Sequence, residues 1–169
     1  MMKKYFLFLL FAALPLWVSA QTPTKFAYFN YTEVLKMMPE YGVAMRNMAN
    51  LRAKFDAETK RSENDFHAKY EEFLEGQRNF APSILKKRQA ELQEMMDKNI
   101  AFKKESDRLL QQAEKDAFAP AHARLKRVLA EMGHERGYAF ILNADNNALP
   151  YVNNMVGEDI TEALKTVIK

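Results

Sequence analysis

Asn79-Phe80-Ala81-Pro82-Ser83 sits near the middle of the longest uniform stretch of this 169-residue chain. From about Tyr41 to Arg136, glycine and proline nearly vanish, and charges of both signs alternate with Leu, Met, Phe and Ala. That is the composition of long helices. Pro82 interrupts it, because proline has no N–H to donate and disfavours helix at Ala81; Ser83 can then cap a new helix. Apolar residues recur seven apart on both sides of the break: Met48 and Phe55, then Phe66, Phe73 and Phe80, then Met95, Phe102 and Leu109. The stretch reads as two long antiparallel helices joined at a tip near 79–83. Each is on the order of 60 Å long at 1.5 Å per residue.

The seam between these helices is interrupted. Thr59, Ser62, Lys69 and Gly76 break one strand of it, and Asn99 and Ser106 the other. A continuous zipper does not carry so many polar positions without losing stability. Pro120 lies inside the second helix and predicts a kink. A loosely packed, bendable arm is expected over 41–136.

The flanks differ in character. Phe26-Ala27-Tyr28-Phe29-Asn30 is short, apolar and aromatic, which predicts a buried strand. Thr32 opens a short helix that Pro39 stops near Met38. Beyond the arm, Arg136 and Gly137 form a helix end. Tyr138-Ala139-Phe140-Ile141-Leu142 predicts a second strand, Asn143 to Asn147 a turn with Asp145 as a hairpin-turn residue, and Ala148-Leu149-Pro150-Tyr151-Val152 a third strand at an edge. Asp159-Ile160-Thr161-Glu162 reads as a capping box before a short terminal helix.

The arm is thus an insertion in a small body made of 21–40 and 137–169. The fold class is α+β, mainly α with a small β body. About fifty residues without a cysteine bury too little apolar surface to stand alone easily. The expected resolution is oligomerisation through the strands, with an oligomer core of Phe26, Tyr28, Phe29, Tyr138, Phe140, Ile141, Leu142, Leu149 and Tyr151.

The N-terminus reads as a cleaved secretory signal, residues 1–20. Lys3 and Lys4 precede an uncharged apolar run from Tyr5 to Val18, shorter than the roughly 20 residues of a spanning helix, and Ser19-Ala20 fits a cleavage site. No cysteine follows that site to carry a lipid. The whole chain carries 25 basic and 22 acidic side chains; loss of Lys3 and Lys4 leaves 23 against 22, a balance of +1. A nucleic-acid partner is not expected at that charge. Trp17 is the single tryptophan, and it leaves with the signal.

Motifs for chemistry fail on specifics. His134-Glu135 begins like a zinc-protease pair, but Tyr138 stands where the second His is required. Asp145-Asn146-Asn147 begins like a calcium loop, but Pro150 stands where Gly is needed and Val156 where Glu is needed. His67 and His122 have no partners at ligand spacing, and no phosphate loop is present. Neither an enzyme nor a cofactor is expected, and no metal.

At its two ends the chain resembles the Skp (OmpH-like) family of periplasmic chaperones. The residues are Phe26-Ala27-Tyr28-Phe29-Asn30, Val34-Leu35 and Pro39 at one end. At the other they are Gly137-Tyr138, Phe140-Ile141-Leu142-Asn143, Leu149-Pro150-Tyr151, and Asp159-Ile160-Thr161 with Leu164. Asn30 and Asn143 stand where the family often has Asp, and the arm matches only in character. The resemblance implies a homotrimer with a β body and three helical-hairpin arms around a cavity. It implies an ATP-independent holdase of the periplasm, with unfolded outer-membrane proteins as clients. It also implies basic arms that meet anionic lipid or lipopolysaccharide.

A holdase needs weak, numerous and adaptable apolar contacts, which Met and aromatic side chains supply. The client-binding candidates are Met45, Met48, Phe55, Phe66, Tyr70, Phe73, Met95, Met96 and Phe102, each of which can equally be ordinary packing between the two helices. Tyr70, Leu74 and Ile100 are the surplus that one seam does not accommodate. Arg78, Lys86, Lys87 and Arg88 cluster at the tip, with no acid until Glu91, and are the candidates for anionic lipid; a solvated charged tip is the plainer reading. The competing function is a structural or adaptor coiled-coil protein of the cell envelope.

Overall fold

A computed structural model describes residues 24–169. The secretory signal read at 1–20 lies outside the described residues. The elements in order are β1 (Phe26–Phe29), α1 (Tyr31–Met37), α2 (Pro39–Gly76), α3 (Pro82–Arg136), β2 (Ile141–Asn143), a 3-10 turn (Asp145–Asn147), β3 (Gly157–Asp159) and α4 (Thr161–Val167). The protein is mainly helical with one small sheet. Among the described residues no helix is long and apolar enough to cross a membrane.

The sheet has the order β2-β1-β3, and both pairings are parallel. The first strand is therefore the central one, flanked by two strands from the far end of the chain. Ala27 and Phe29 point into the core, and Phe26 and Tyr28, one residue out of step, face the other way. Ala27, Phe29, Val34, Leu35, Met38, Ile160, Leu164 and Ile168 close this core together with Ala121, Leu125, Val128 and Met132 of α3. The last turns of the longest helix thus pack with both terminal segments.

Several local expectations are corrected. The third strand is Gly157–Asp159 and not 148–152. Asn146 and Asn147 both adopt positive φ, 54° and 57°, which turns the chain away from the sheet. Pro150 then has no N–H for a ladder. Leu149 and Tyr151 consequently lie off the sheet, and Tyr151 is 82% exposed. The second strand begins at Ile141, later than Tyr138, because the Tyr138 N–H is spent on the carbonyl of Gly133 at the end of α3. Asp145 makes no hairpin. Its carboxylate accepts from the Thr32 N–H at 3.0 Å and the Thr32 hydroxyl at 2.7 Å. It thus caps α1 from the other end of the chain.

The short helix α1 also starts one residue before Thr32, with the Asn30 side chain accepting from the Glu33 N–H at 2.9 Å. Ser83 is not a cap either: α3 opens on Pro82, where a missing N–H costs nothing. That helix runs on through Pro120 to Arg136. Gly137, at φ 67°, ends it in the left-handed conformation that glycine adopts without strain. Asp159 Oδ1 holds the Thr161 N–H and hydroxyl at 2.9 and 2.6 Å, while Glu162 turns instead to Lys165.

Candidate functional site

The contacts between α2 and α3 run in opposite directions along the chain. Glu40 pairs with Arg124 at 2.8 Å, and the Tyr41 and Phe118 rings lie 5.1 Å apart. Farther out, Phe55 meets Phe102 at 6.2 Å, and Ser62 hydrogen-bonds Asn99, whose amide also donates to the Ser62 carbonyl at 3.3 Å. Two of the polar interruptions of the seam therefore satisfy each other. Ser106 does not: its hydroxyl is buried and, among the described residues, finds no partner. Beyond Gly76 the chain closes through residues 77–81. The Phe80 ring lies over Gly76, so that a Cβ there would stand 2.4 Å from Phe80 Cζ. Phe73 packs against Phe80 at 6.4 Å.

The nine apolar candidates on these helices divide. Met48 is buried, and Phe55, Phe73, Met95 and Phe102 are half-buried along the seam. Met45, Tyr70 and Met96 are 40–47% exposed, and half-buried Phe66 stacks on Tyr70 at 6.0 Å with 10° between the rings. Ile100 at 61% and Leu74 at 44% join the exposed set. Heptad spacing alone could not make this division, because it fixes a stripe but not the partner's distance from it.

At the tip, Arg78 and Lys86 are exposed. Lys87 and Arg88 both reach Glu91, at 3.7 and 3.1 Å. The acid that ends the basic run lies one helical turn away and takes two of its four cations.

A second surface lies on the sheet, on the side away from the core. Phe26 and Phe140 stack there at 5.3 Å with 20° between the rings, and Tyr28 is in register with Leu142. Phe140 is 49% exposed; Phe26, Tyr28 and Leu142 are half-buried. Gly157 admits this arrangement, since a Cβ there would meet Val152 Cγ1 at 2.4 Å and Phe26 Cζ at 2.7 Å. Of the other strand candidates, Phe29 belongs to the core, and Ile141 and Tyr138 pack against it.

Two polar contacts bolt the longest helix to the body and a third lies within the body beside them, and none was legible in the sequence. Tyr31 and His122 lie 91 residues apart, and Glu158 lies 20 and 22 residues from Tyr138 and Arg136, with no local spacing to betray them. The Tyr31 hydroxyl lies 2.5 Å from His122 Nδ1. The Tyr138 hydroxyl donates to Glu158 at 2.6 Å, beside Arg136 at 3.1 Å in the same carboxylate. Burial first, and Asp145 second, push the Tyr31 hydroxyl above its usual pKa. At the start of α2, the backbone N–H of Glu40 and then the Arg124 guanidinium hold the Glu40 carboxyl below the usual carboxylate range, more than offsetting its desolvation.

Among the described residues, no group of three or more His, Asp or Glu side chains is placed to hold a metal ion. What the arrangement offers is two apolar surfaces, one along the helices and one on the sheet. No curated protein matches this chain. Residues 25–168, everything from the start of β1 to the end of α4, match the family described as OmpH, "Outer membrane protein (OmpH-like)", and the chain belongs to that family.

Proposed function

We propose that the exported chain is an ATP-independent holdase that binds unfolded outer-membrane proteins between helical arms and keeps them from aggregating before they reach the membrane. The OmpH-like family is a family of periplasmic chaperones, so general chaperone work follows from membership. The holdase mechanism, the clients and the assembly are the present reading. One observation carries it: Met45, Tyr70, Leu74, Met96 and Ile100 stand 40–61% exposed along α2 and α3. Flexible thioethers and aromatic rings in water suit a surface that accepts many partners weakly.

In this reading 41–136 is an arm, and 21–40 with 137–169 is the oligomerising body. The outer sheet face of Phe26, Tyr28, Phe140 and Leu142 supplies the interface of a homotrimer. Placing a charge there by Phe140→Asp should yield monomers in sedimentation velocity; an unchanged profile would count against the interface. The tip cations give the arm a weak affinity for anionic lipid. Exchanging Lys86, Lys87 and Arg88 for Glu should reduce binding to anionic vesicles, and equal binding would leave the tip a solvated surface.

The decisive experiment dilutes a urea-unfolded, Trp-containing barrel protein into buffer with and without the mature chain, which lacks Trp once residues 1–20 are gone. Light scattering should fall at a ratio near one client per oligomer, without ATP, while the Trp emission reports the client alone. Undiminished aggregation would sink the reading and shift the weight to an adaptor with a folded partner.

A further inference from the structure

The two long sides of the α2–α3 pair differ chemically. Positions seven apart stay on one face of a supercoiled pair, so heptad stripes identify the sides. One side carries Glu72 on α2 and Glu91, Lys98 and Glu105 on α3. It is laced with the ion pairs Lys69–Glu72, Arg88–Glu91, Glu94–Lys98 and Glu105–Arg108, at 2.6–3.1 Å. The other side carries the stripe of Ala49, Glu63 and Tyr70 on α2 and that of Ile100 and Glu114 on α3.

Two recesses lined by both helices open on that second side. One, of about 490 Å³, lies near the body between Met45, Met48 and Phe118. The other, of about 260 Å³, lies between Phe66, Met96 and Ile100. Eighteen residues separate Met48 from Phe66, and eighteen separate Ile100 from Phe118. Both helices therefore set the recesses about 27 Å apart at 1.5 Å per residue. Arg52 and Glu114 line the first recess, and Glu63 and Lys103 the second. Among the described residues none of these four is in an ion pair. The surface between the recesses is polar, with Asp56 and Asp107 exposed.

These features select an occupant. A helix from a second copy would need apolar residues at every turn of the seam, and the gap spans about five turns. An anionic surface would meet Asp56, Glu63, Asp107 and Glu114. An extended polypeptide needs only the two grips and keeps its intervening backbone in water. We infer that this side of the pair is a two-grip surface for an unfolded, extended polypeptide, taking two apolar clusters about eight residues apart at roughly 3.3 Å per residue. Charged residues of either sign between the clusters find an unpaired counterpart on the rims. A membrane-spanning β-strand is about 9–11 residues long and carries an aromatic girdle near each end, so an unfolded barrel strand presents this spacing. The inference rests on the holdase reading and gives it a side and a length.

The test uses the full mature protein and soluble fluorescein-labelled peptides bearing two Phe-Leu pairs separated by four, eight or fourteen polar residues. The eight-residue spacing should bind at least about fivefold tighter than the other two. The double variant Met96→Glu, Ile100→Glu alters exposed side chains and should abolish that preference. Ala101→Glu, exposed on the opposite side, should keep it; circular dichroism and sedimentation verify the fold of both. Affinity indifferent to spacing, a preference that survives the double variant, or one lost in Ala101→Glu would overturn the inference. So would self-association of the wild type that the double variant abolishes, which would make a second copy the occupant. Binding of phosphatidylglycerol vesicles lost in the double variant, with peptide affinity unchanged, would overturn it in favour of lipid. Running the client-aggregation assay alongside separates the two levels. Suppression without spacing preference sinks the two-grip surface and leaves the holdase standing, whereas no suppression sinks both.

Discussion

Twelve buried residues from β1, α1, α3 and the α4 segment meet at the base of the molecule, and Ala27, Val34, Ile160, Leu164 and Ile168 have no exposed surface at all. Along the helix pair from Ala49 to Glu105 no residue is buried. The same chain therefore builds one region to the density of a protein interior and another as two helices in side-by-side contact. The difference follows from the number of partners. A base residue is enclosed by helices and a sheet, whereas a seam residue such as Phe55 has one facing helix and open solvent on both sides. Apolar surface that no third element covers stays available, and that availability is bought with local stability.

Mutations should separate the regions in size and in kind. Leu125→Ala, at a site 1% exposed, should cost about 3 kcal/mol of global stability in urea unfolding. A loss below about 1 kcal/mol would place the base in the same loose class as the outer pair. Gly157→Ala pushes a methyl group into Val152 and Phe26 and should cost about 1–3 kcal/mol through overpacking. Phe102→Ala should cost about 1–2 kcal/mol, because its ring is only half-buried. Its mark should be local: faster amide hydrogen exchange over α2 and α3 with the urea midpoint of the base nearly unmoved. A fall of both together would show the two regions to be one cooperative unit. Ser106→Ala should gain about 1 kcal/mol by removing a buried hydroxyl without a partner; a loss would mean that the hydroxyl is satisfied in solution.

Acid should act at the junction of the regions. The carboxyl of Glu40 titrates below its ordinary range, so its contribution is complete above the unfolded-state value and is lost as pH falls through the depressed one. The stability difference between wild type and Glu40→Gln should therefore be present at neutral pH and vanish on acidification below the ordinary carboxylate range. A difference that persisted there would exclude the Arg124 contact as its source.

The sequence was most legible where the physics is local. Pro82, the heptad spacing and Gly137 placed the long helices and their ends, because each acts through residues within one or two turns. The central strand at Phe26 was readable from its unbroken apolar character. The third strand was misplaced for a physical reason: Ala148 to Val152 has the better strand composition, yet the positive φ of Asn146 and Asn147 removes it from the sheet, and the less apolar Gly157–Asp159 takes its place beside β1. Asp145 does open a turn, but its hairpin role was misread because its partner, Thr32, lies at the opposite end of the sequence. At the candidate site, the residue types were legible and their sides were not. Met45 and Met48 are three residues apart, yet one is 47% exposed and the other 8%.

The parallel pairing of β1 with β2 and β3 has a consequence for the order in which the protein can be made. Phe26 pairs with Gly157, and Ala27 with Ile141. The first strand to emerge from a ribosome or a membrane pore thus has no neighbour until nearly the whole chain has followed it. The helix pair can close as soon as its own residues are through, since its contacts are nearer in sequence, while the sheet must wait on a loop closure of more than a hundred residues. Ile160, Leu164 and Ile168 then arrive last and complete the core. A chain that is cut short by a dozen residues would therefore keep its two long helices and lose its base.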